Sequence, residues 1–148
     1  MLQHAEQTWA NLTNVRPRAT DAPMVMAFLH VGLGGAIGSM MRFAFGLAVS
    51  RTASTGFPLA ILPVNVVGSF LMGLLVVYTF QREVTYLNPL LMTGVLGGFT
   101  TFSAFSLEAF TLYERGAVSQ AALYVGFSVA LSLLGLAFGV LLARSIWA

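Results

Sequence analysis

Ten consecutive residues, "GGFTTFSAFS" from Gly97 to Ser106, place two glycines, four hydroxyl side chains and three phenylalanines inside an apolar segment. Glycine in a helix interior costs about 1 kcal/mol relative to alanine, and threonine hydroxyls divert hydrogen bonds from the helical ladder. The stretch therefore favours a broken helix. Non-helical backbone at membrane depth must be buried or line a cavity, and unwound carbonyls bind cations. An ion site is one interpretation; a bent, close-packed helix is the other.

Two of the phenylalanines, Phe102 and Phe105, are spaced to share one helix face if the helix resumes after the break. An aromatic ring carries a negative face and a positive edge. Rings presented edge-on in a narrow passage would attract a small, desolvated anion. Ordinary core packing explains the same spacing, so this pair alone does not decide between the two.

Isolated polar side chains occur in two other apolar segments. Asn65, in "PVNVVGSFLMG", offers two amide donors, which need a partner in another helix or in a ligand. Pro63, two residues earlier, removes a helical hydrogen bond and predicts a kink. Tyr124, Ser128 and Ser132 recur every four residues and fall on one helix face. They form either a polar track or a row of serines bonded to their own backbone.

Ionisable residues inside membrane segments are functional candidates, and the chain has few of them. Arg42 is the arginine furthest inside a segment, where it forms an anion-attracting vestibule or anchors to the lipid interface. Glu108 follows the glycine-rich stretch and either pairs with a partner or serves proton coupling. The two histidines, His4 and His30, are too few to form a usual zinc or iron site. Because the sequence has no cysteine, thiol chemistry is excluded.

The composition sets the environment in which these residues act. Hydrophobic residues make up 57% of the 148 residues, charged residues 8%, and the mean hydropathy is +0.84, which indicates a membrane protein. Segments this long and apolar cross a bilayer as helices. The sequence predicts an all-α membrane protein with a polar, disordered tail at 1–24 and a four-helix domain at 25–148. The spans are predicted at about 25–50, 57–80, 86–112 and 117–142.

Charge excludes some functions and suggests an assembly. A net charge of +2 provides no basic patch for nucleic acid, and no nucleophile, base and orienting group occur together as in an enzyme. Outside the tail, two arginines fall on each side of the membrane, Arg82 and Arg144 against Arg51 and Arg115. This lack of bias leaves the chain free to insert both ways, which favours an antiparallel dimer.

Glycines recur four residues apart in three of the spans. Such small-residue pairs let helix backbones approach closely. We therefore predict tight helix packing, across subunits, at three glycine pairs: Gly34 with Gly38, Gly94 with Gly98, and Gly135 with Gly139.

Three motifs carry a resemblance to a known family. The sequence resembles the small fluoride channels called Fluc or CrcB in "GGAIGSMMRF", in "FPLAILPVNVVGSFLMG" and, most specifically, in "GVLGGFTTFSAFSLE". The resemblance extends over all four spans, from Met26 to Arg144. It implies an antiparallel dual-topology homodimer with two fluoride pathways at the subunit interface. It also implies a structural sodium ion on the two-fold axis, held by backbone carbonyls at the third-span breaks of both subunits.

The resemblance assigns roles to residues that match the family motifs. By motif, the implied sodium carbonyls fall on Gly97 and Thr100, the ring edges on Phe102 and Phe105, the pore amide on Asn65, the hydroxyl track on Tyr124, Ser128 and Ser132, and the vestibule arginine on Arg42. The sequence departs from the family pattern in three places, one of which spans two residues. Ala60 and Ile61 replace a frequent Gly-Thr, Ala104 replaces a threonine, and Phe43 replaces a tyrosine. Because Ile61 stands where the family often has threonine, the contribution of that polar side chain to the pathway is in question.

The function implied by this resemblance is passive export of fluoride through a multi-pass protein of the cell inner membrane, which relieves fluoride toxicity. A proton-coupled exporter of the small multidrug type, with Glu108 as its carboxylate, is the alternative from a different class of mechanism. A membrane assembly subunit without transport activity is a third hypothesis. That hypothesis leaves Asn65, Arg42 and the broken span without a role.

Overall fold

The computed structural model describes residues 24–52 and 60–147, and in these ranges all regular structure is helical. The predictions for the tail and for the start of the second span at Phe57 lie outside them. Three of the spans are continuous helices: α1 (Met24–Thr52), α2 (Ile61–Gln81) and α5 (Val118–Trp147). Together with Thr85–Glu114, they give four segments long and apolar enough to cross a membrane. The all-α, four-span prediction is confirmed.

The third span is a composite of short elements. It contains a 3₁₀ turn (Thr85–Leu87), a π-helix (Pro89–Leu96), α3 (Gly97–Phe99) and α4 (Phe102–Glu114). Pro89 occupies the first turn of its helix, where its missing N–H costs nothing. The backbone between α3 and α4 is extended, with φ −78° and ψ 154° at Thr100, and φ −153° and ψ 121° at Thr101.

Two details of the helices differ from the expectation. The fourth helix continues beyond the predicted end of its span at Leu142, to Trp147, because a single half-buried arginine side chain does not interrupt a helical backbone. Pro63 does not kink the second span, since α2 begins at Ile61 and places the proline in its first turn. In that turn, no helical hydrogen bond is lost.

The first span packs closely against the first half of the third. A Cβ atom on Gly94 would lie 2.8 Å from Gly34 Cα, and one on Gly98 would lie 2.5 Å from the carbonyl oxygen of Gly35. Side chains at these positions would push the helices apart. Tight packing at these glycines is confirmed within one protomer, and packing across subunits stays a prediction.

The second and fourth spans run in the same direction and pack along their lengths. Gly135 and Gly139 face the backbone of α2, near Val66 and Phe70 respectively. The rings of Phe70 and Phe138 stack with centroids 5.8 Å apart, and those of Tyr78 and Trp147 meet edge to face near the helix ends. This pairing provides one wall for the site described next.

The third span changes partners at its extended segment. Its first half packs on α1, and α4 packs on α5 around a cluster of Phe105, Leu112, Ala121 and Tyr124. Thr100 and Thr101 therefore lie where the chain passes from one helix layer to the other.

Candidate ion pathway

A cleft with a volume of about 380 Å³ lies between α2, α5 and the junction of α3 with α4. Its lining combines hydroxyls, one amide and two phenylalanine rings with aliphatic side chains. The polar and aromatic members are Asn65, Ser69, Thr100, Thr101, Phe102, Phe105, Ser128 and Ser132. Six of the residues assigned from the sequence therefore come together here. Arg42, Gly97 and Tyr124 are not among the lining residues.

Asn65 binds the extended segment through its side-chain amide. Its Nδ2 donates to the carbonyl oxygen of Thr101 at 3.1 Å, and its Oδ1 accepts from the Thr101 backbone N–H at 2.9 Å. The amide thus takes the place of helical partners that the extended backbone lacks. One of its two N–H donors is used, and the other is left for a ligand. Both roles left open by the sequence, interhelical bond and ligand donor, are compatible with this geometry.

The threonine hydroxyls mainly satisfy the backbone around the extended segment. Thr101 is the N-cap of α4, and its Oγ1 accepts from Ala104 N at 3.2 Å, as N-cap residues do. Thr100 Oγ1 donates to the carbonyl oxygen of Leu96 at 2.8 Å. These bonds hold the conformation of the segment from both sides.

The two phenylalanine rings lie side by side but differ in exposure. Their centroids are 5.4 Å apart with an interplanar angle of 49°. Phe105 is 8% exposed and stacks on Tyr124, whereas Phe102 is 78% exposed in the protomer. Phe105 is therefore fixed by the protein core, and Phe102 projects from the protomer beside the cleft.

The hydroxyl row of the fourth span divides between two environments. Tyr124 is fully buried, and its hydroxyl donates to Glu108 Oε2 at 2.6 Å. Ser128 and Ser132 line the cleft. Ser128 Oγ is buried beside the Tyr124 hydroxyl, with which it interacts, so it links the buried end of the row to the cleft.

Arg42, on α1, contacts the backbone of α3. Its Nε donates to the carbonyl oxygen of Gly98 at 3.1 Å, and the side chain is half-buried. The bond joins α1 to the last turn before the extended segment. The guanidinium therefore acts within the protein at this carbonyl, rather than only as a lipid anchor.

The carbonyl groups near the extended segment suit a hard cation. Thr101 N donates to Asn65, so the carbonyl oxygen of Gly97 lacks the donor that an α-helix would supply. Thr100 is extended, which turns its carbonyl out of the helical ladder. Such unwound carbonyls are the oxygen ligands that sodium takes in membrane proteins. Among the described residues, no group of histidine, cysteine and acidic side chains is placed to bind a metal.

Comparison with known proteins identifies the family. A family model described as "CrcB-like protein, Camphor Resistance (CrcB)" matches residues 29–140. The chain belongs to the CrcB-like family. The match begins in α1 and ends in α5, so it includes residues of all four spans of this CrcB-like protein.

Several curated relatives are similar over most of this CrcB-like chain. A protein of Ruegeria sp. is 55% identical over 124 residues, covering 83% of this chain and 98% of its own length. One of Jannaschia sp. is 64% identical over 97 residues, covering 66% and 92%. One of Agrobacterium fabrum is 45% identical over 119 residues, covering 79% and 95%. All three are named "Fluoride-specific ion channel FluC", a channel name rather than that of an enzyme.

Sequence reasoning missed three cleft residues. Thr101 is bound by Asn65, and Gly68 leaves room for the Thr100 side chain. Ser69 lines the cleft and follows Asn65 by four residues, a spacing that places both on one helix face. That spacing was the available signal for Ser69, whereas the contacts of Thr101 and Gly68 depend on long-range packing.

Proposed function

We propose that this CrcB-like protein is a fluoride channel that lets fluoride leave the cell passively, down its electrochemical gradient. The observation that carries the proposal is the cleft, where an amide, serine hydroxyls and two phenylalanine rings converge beside an extended segment in the membrane. The names of the relatives supply the ion. Export would relieve toxicity when hydrogen fluoride enters from acidic surroundings and dissociates in the cytoplasm.

The donors in the cleft suit a small, strongly hydrated anion. Removing such an ion from water is costly unless hydrogen-bond donors replace its hydration shell. The second N–H of Asn65, the hydroxyls of Ser128 and Ser132, and the edges of Phe102 and Phe105 are the available replacements. Chloride is larger and would not fit the same narrow arrangement.

We propose that the channel is an antiparallel homodimer and that Thr100 and Thr101 form the mid-membrane break of the third span. The exposure of Phe102 supports a dimer. The ring lies beside the proposed pathway but is 78% exposed in the protomer, and a second copy would cover it. The arginine distribution supports both orientations, with Arg82 and Arg144 at one end of the described spans and Arg51 and Arg115 at the other. Insertion is then not directed by charge.

We propose further that the backbone carbonyls of Gly97 and Thr100 bind a structural sodium ion together with their counterparts in a second copy. One protomer alone supplies too few ligands for a hard cation, which the second copy remedies. Bound sodium supplies a fixed positive charge that favours a nearby anion and links the subunits. Arg42 holds the adjacent Gly98 carbonyl and so orients the peptide next to Gly97.

The proton-coupled exporter is not favoured. It requires an accessible carboxylate in the binding site, whereas Glu108 accepts a hydrogen bond from the buried Tyr124 and is absent from the cleft lining. The relatives carry the names of fluoride channels.

Efflux from liposomes tests the proposal. Purified protein is reconstituted into vesicles loaded with equal concentrations of potassium fluoride and potassium chloride, valinomycin is added so that potassium efflux balances the anion charge, and each anion is followed with a selective electrode. Fluoride efflux without chloride efflux, and without an imposed pH gradient, is the expected result. Equal release of both ions, or no fluoride release, would contradict the function.

A further inference from the structure

Ser69 lines the cleft on the same face of α2 as Asn65, one helical turn further along. It is half-buried. None of the roles inferred so far involves this hydroxyl.

Contacts between α2 and α5 give the order of polar groups along the cleft. Gly135 packs against the backbone between Val66 and Phe70. Because the two helices run in the same direction, this register places Ser132 beside Asn65. It places Ser69 four residues further along α2, about 6 Å along the helix axis.

The surroundings of Ser69 lack other hydroxyls on the α5 side. At its level, α5 contributes Leu133 and Leu136 to the cleft, and the next lining residue on α2 is Met72. These side chains offer no hydrogen-bond donor. An anion that moves past Asn65 and Ser132 would therefore meet Ser69 as the next side-chain donor on these two helices.

The hydroxyl of Ser69 is not bonded to its own helix. Ser39, Ser106 and Ser145 donate to backbone carbonyls three or four residues earlier, at 2.8–3.0 Å, which is common for serine in membrane helices. Within the described residues, the Ser69 side chain makes no such bond. Its proton is available to a ligand without breaking an existing hydrogen bond.

We infer that Ser69 is a fluoride-binding residue that extends the donor row beyond Asn65 and Ser132. Its O–H donates to the ion at the level of Thr100, whose methyl group occupies the space left by the neighbouring Gly68. This inference rests on the proposed function. It adds a binding position along the pathway.

The test compares Ser69→Thr with Ser69→Val in the liposome assay. The two substitutions add nearly the same bulk, but only threonine keeps a hydroxyl donor. Fluoride efflux through Ser69→Val is expected to be at least about tenfold slower than through Ser69→Thr, equivalent to about 1.4 kcal/mol. Ser145→Ala, which removes a back-bonded serine outside the cleft, is the control and should conduct like the unsubstituted protein.

The outcomes separate this inference from the proposed function. If the unsubstituted protein conducts fluoride and Ser69→Val equals an active Ser69→Thr, the hydroxyl is not needed and the inference is overturned. If added bulk blocks both variants, Ser69→Ala decides, because slower fluoride efflux supports the inference and unchanged efflux refutes it. Absence of fluoride efflux from the unsubstituted protein would instead refute the function itself. Dimer content, measured by size exclusion for each variant, confirms equal assembly.

Discussion

At the scale of single residues, Asn65 joins the structure of the site to its chemistry. Its amide holds the Thr101 peptide through two hydrogen bonds, at 2.9 and 3.1 Å, and retains one free donor. The groups that fix the extended segment are therefore also groups that can contact the ion. Substitution here is expected to affect both stability and conduction.

Asn65→Asp tests this double role. A carboxylate can still accept from Thr101 N, but its second oxygen would face the Thr101 carbonyl without a proton to donate. We expect a loss of about 1–3 kcal/mol in the free energy of unfolding, and loss of fluoride efflux because the negative charge repels the anion. Thermal unfolding and liposome efflux measure the two effects. Normal efflux in this variant would contradict the assignment of Asn65.

Phe102→Ile separates conduction from stability. The ring is 78% exposed in the protomer, so its replacement removes little buried area within the chain, while the polarised edge is lost. Fluoride efflux is expected to stop while the protein still folds and dimerises, because isoleucine keeps an apolar side chain where the second copy would cover the ring; size exclusion measures the dimer content. Undiminished efflux would show that the ring edge is not part of the pathway.

Residue patterns predicted part of this site and not the rest. Residue type and helical spacing made Asn65, Phe102, Phe105, Ser128 and Ser132 candidates, but only the family resemblance assigned them to an ion pathway. Other contacts could not be found this way because they form between helices. The hydroxyl of Tyr124 points to Glu108 rather than into the cleft, and no periodicity within one helix encodes that choice.

At the scale of elements, glycines set how closely the first and third spans approach. Gly98 packs against Gly35, and Gly94 against Gly34. They pack so closely that a Cβ atom on Gly98 or Gly94 would collide with the backbone of α1. Arg42 adds a hydrogen bond to the Gly98 carbonyl in the same region. The N-terminal side of the extended segment is thereby held by α1, as the C-terminal side is held by Asn65 on α2.

Gly98→Ala is expected to force these elements apart. Its Cβ would lie 2.5 Å from the Gly35 carbonyl oxygen, a backbone atom that cannot rotate away, and overpacking of this kind costs about 1–3 kcal/mol. Gly126→Ala is the matched control, because a Cβ there meets nothing within 4 Å and alanine is the better helix former. Thermal unfolding of both variants gives the comparison. Equal unfolding temperatures would contradict the packing argument.

The sequence predicted the spans more reliably than their internal geometry. Apolar length alone decides that a segment crosses a membrane as a helix, so four spans were found. The π-helix at Pro89–Leu96 was not predicted. It lies against α1 near Gly34 and Gly38, so its conformation is associated with interhelical packing, which periodicity within one segment does not report.

At the scale of the whole molecule, the proposed homodimer completes a site that one chain leaves partial. The ring of Phe102 projects from the protomer. Gly97 is exposed and Thr100 is half-buried, so both lie near the protomer surface. A second copy would cover the ring and double the carbonyl ligands. Assembly, cation binding and conduction are then coupled.

Sodium dependence tests that coupling. A ligand that binds only the folded assembly raises its apparent stability with concentration, so the unfolding temperature of the purified dimer should rise as sodium replaces choline at constant ionic strength. Fluoride efflux should fall in choline. Stability and efflux that are the same in both salts would contradict the sodium site without touching the fluoride selectivity.

The reversal potential of the current across a planar bilayer tests the central claim most directly. With a tenfold fluoride gradient, equal chloride on both sides and no pH difference, a passive fluoride-selective channel reverses at the fluoride equilibrium potential, about 59 mV. We expect that value, and we expect it to stay unchanged when a chloride or pH gradient is added. A reversal potential that follows chloride or pH would contradict passive, fluoride-selective conduction.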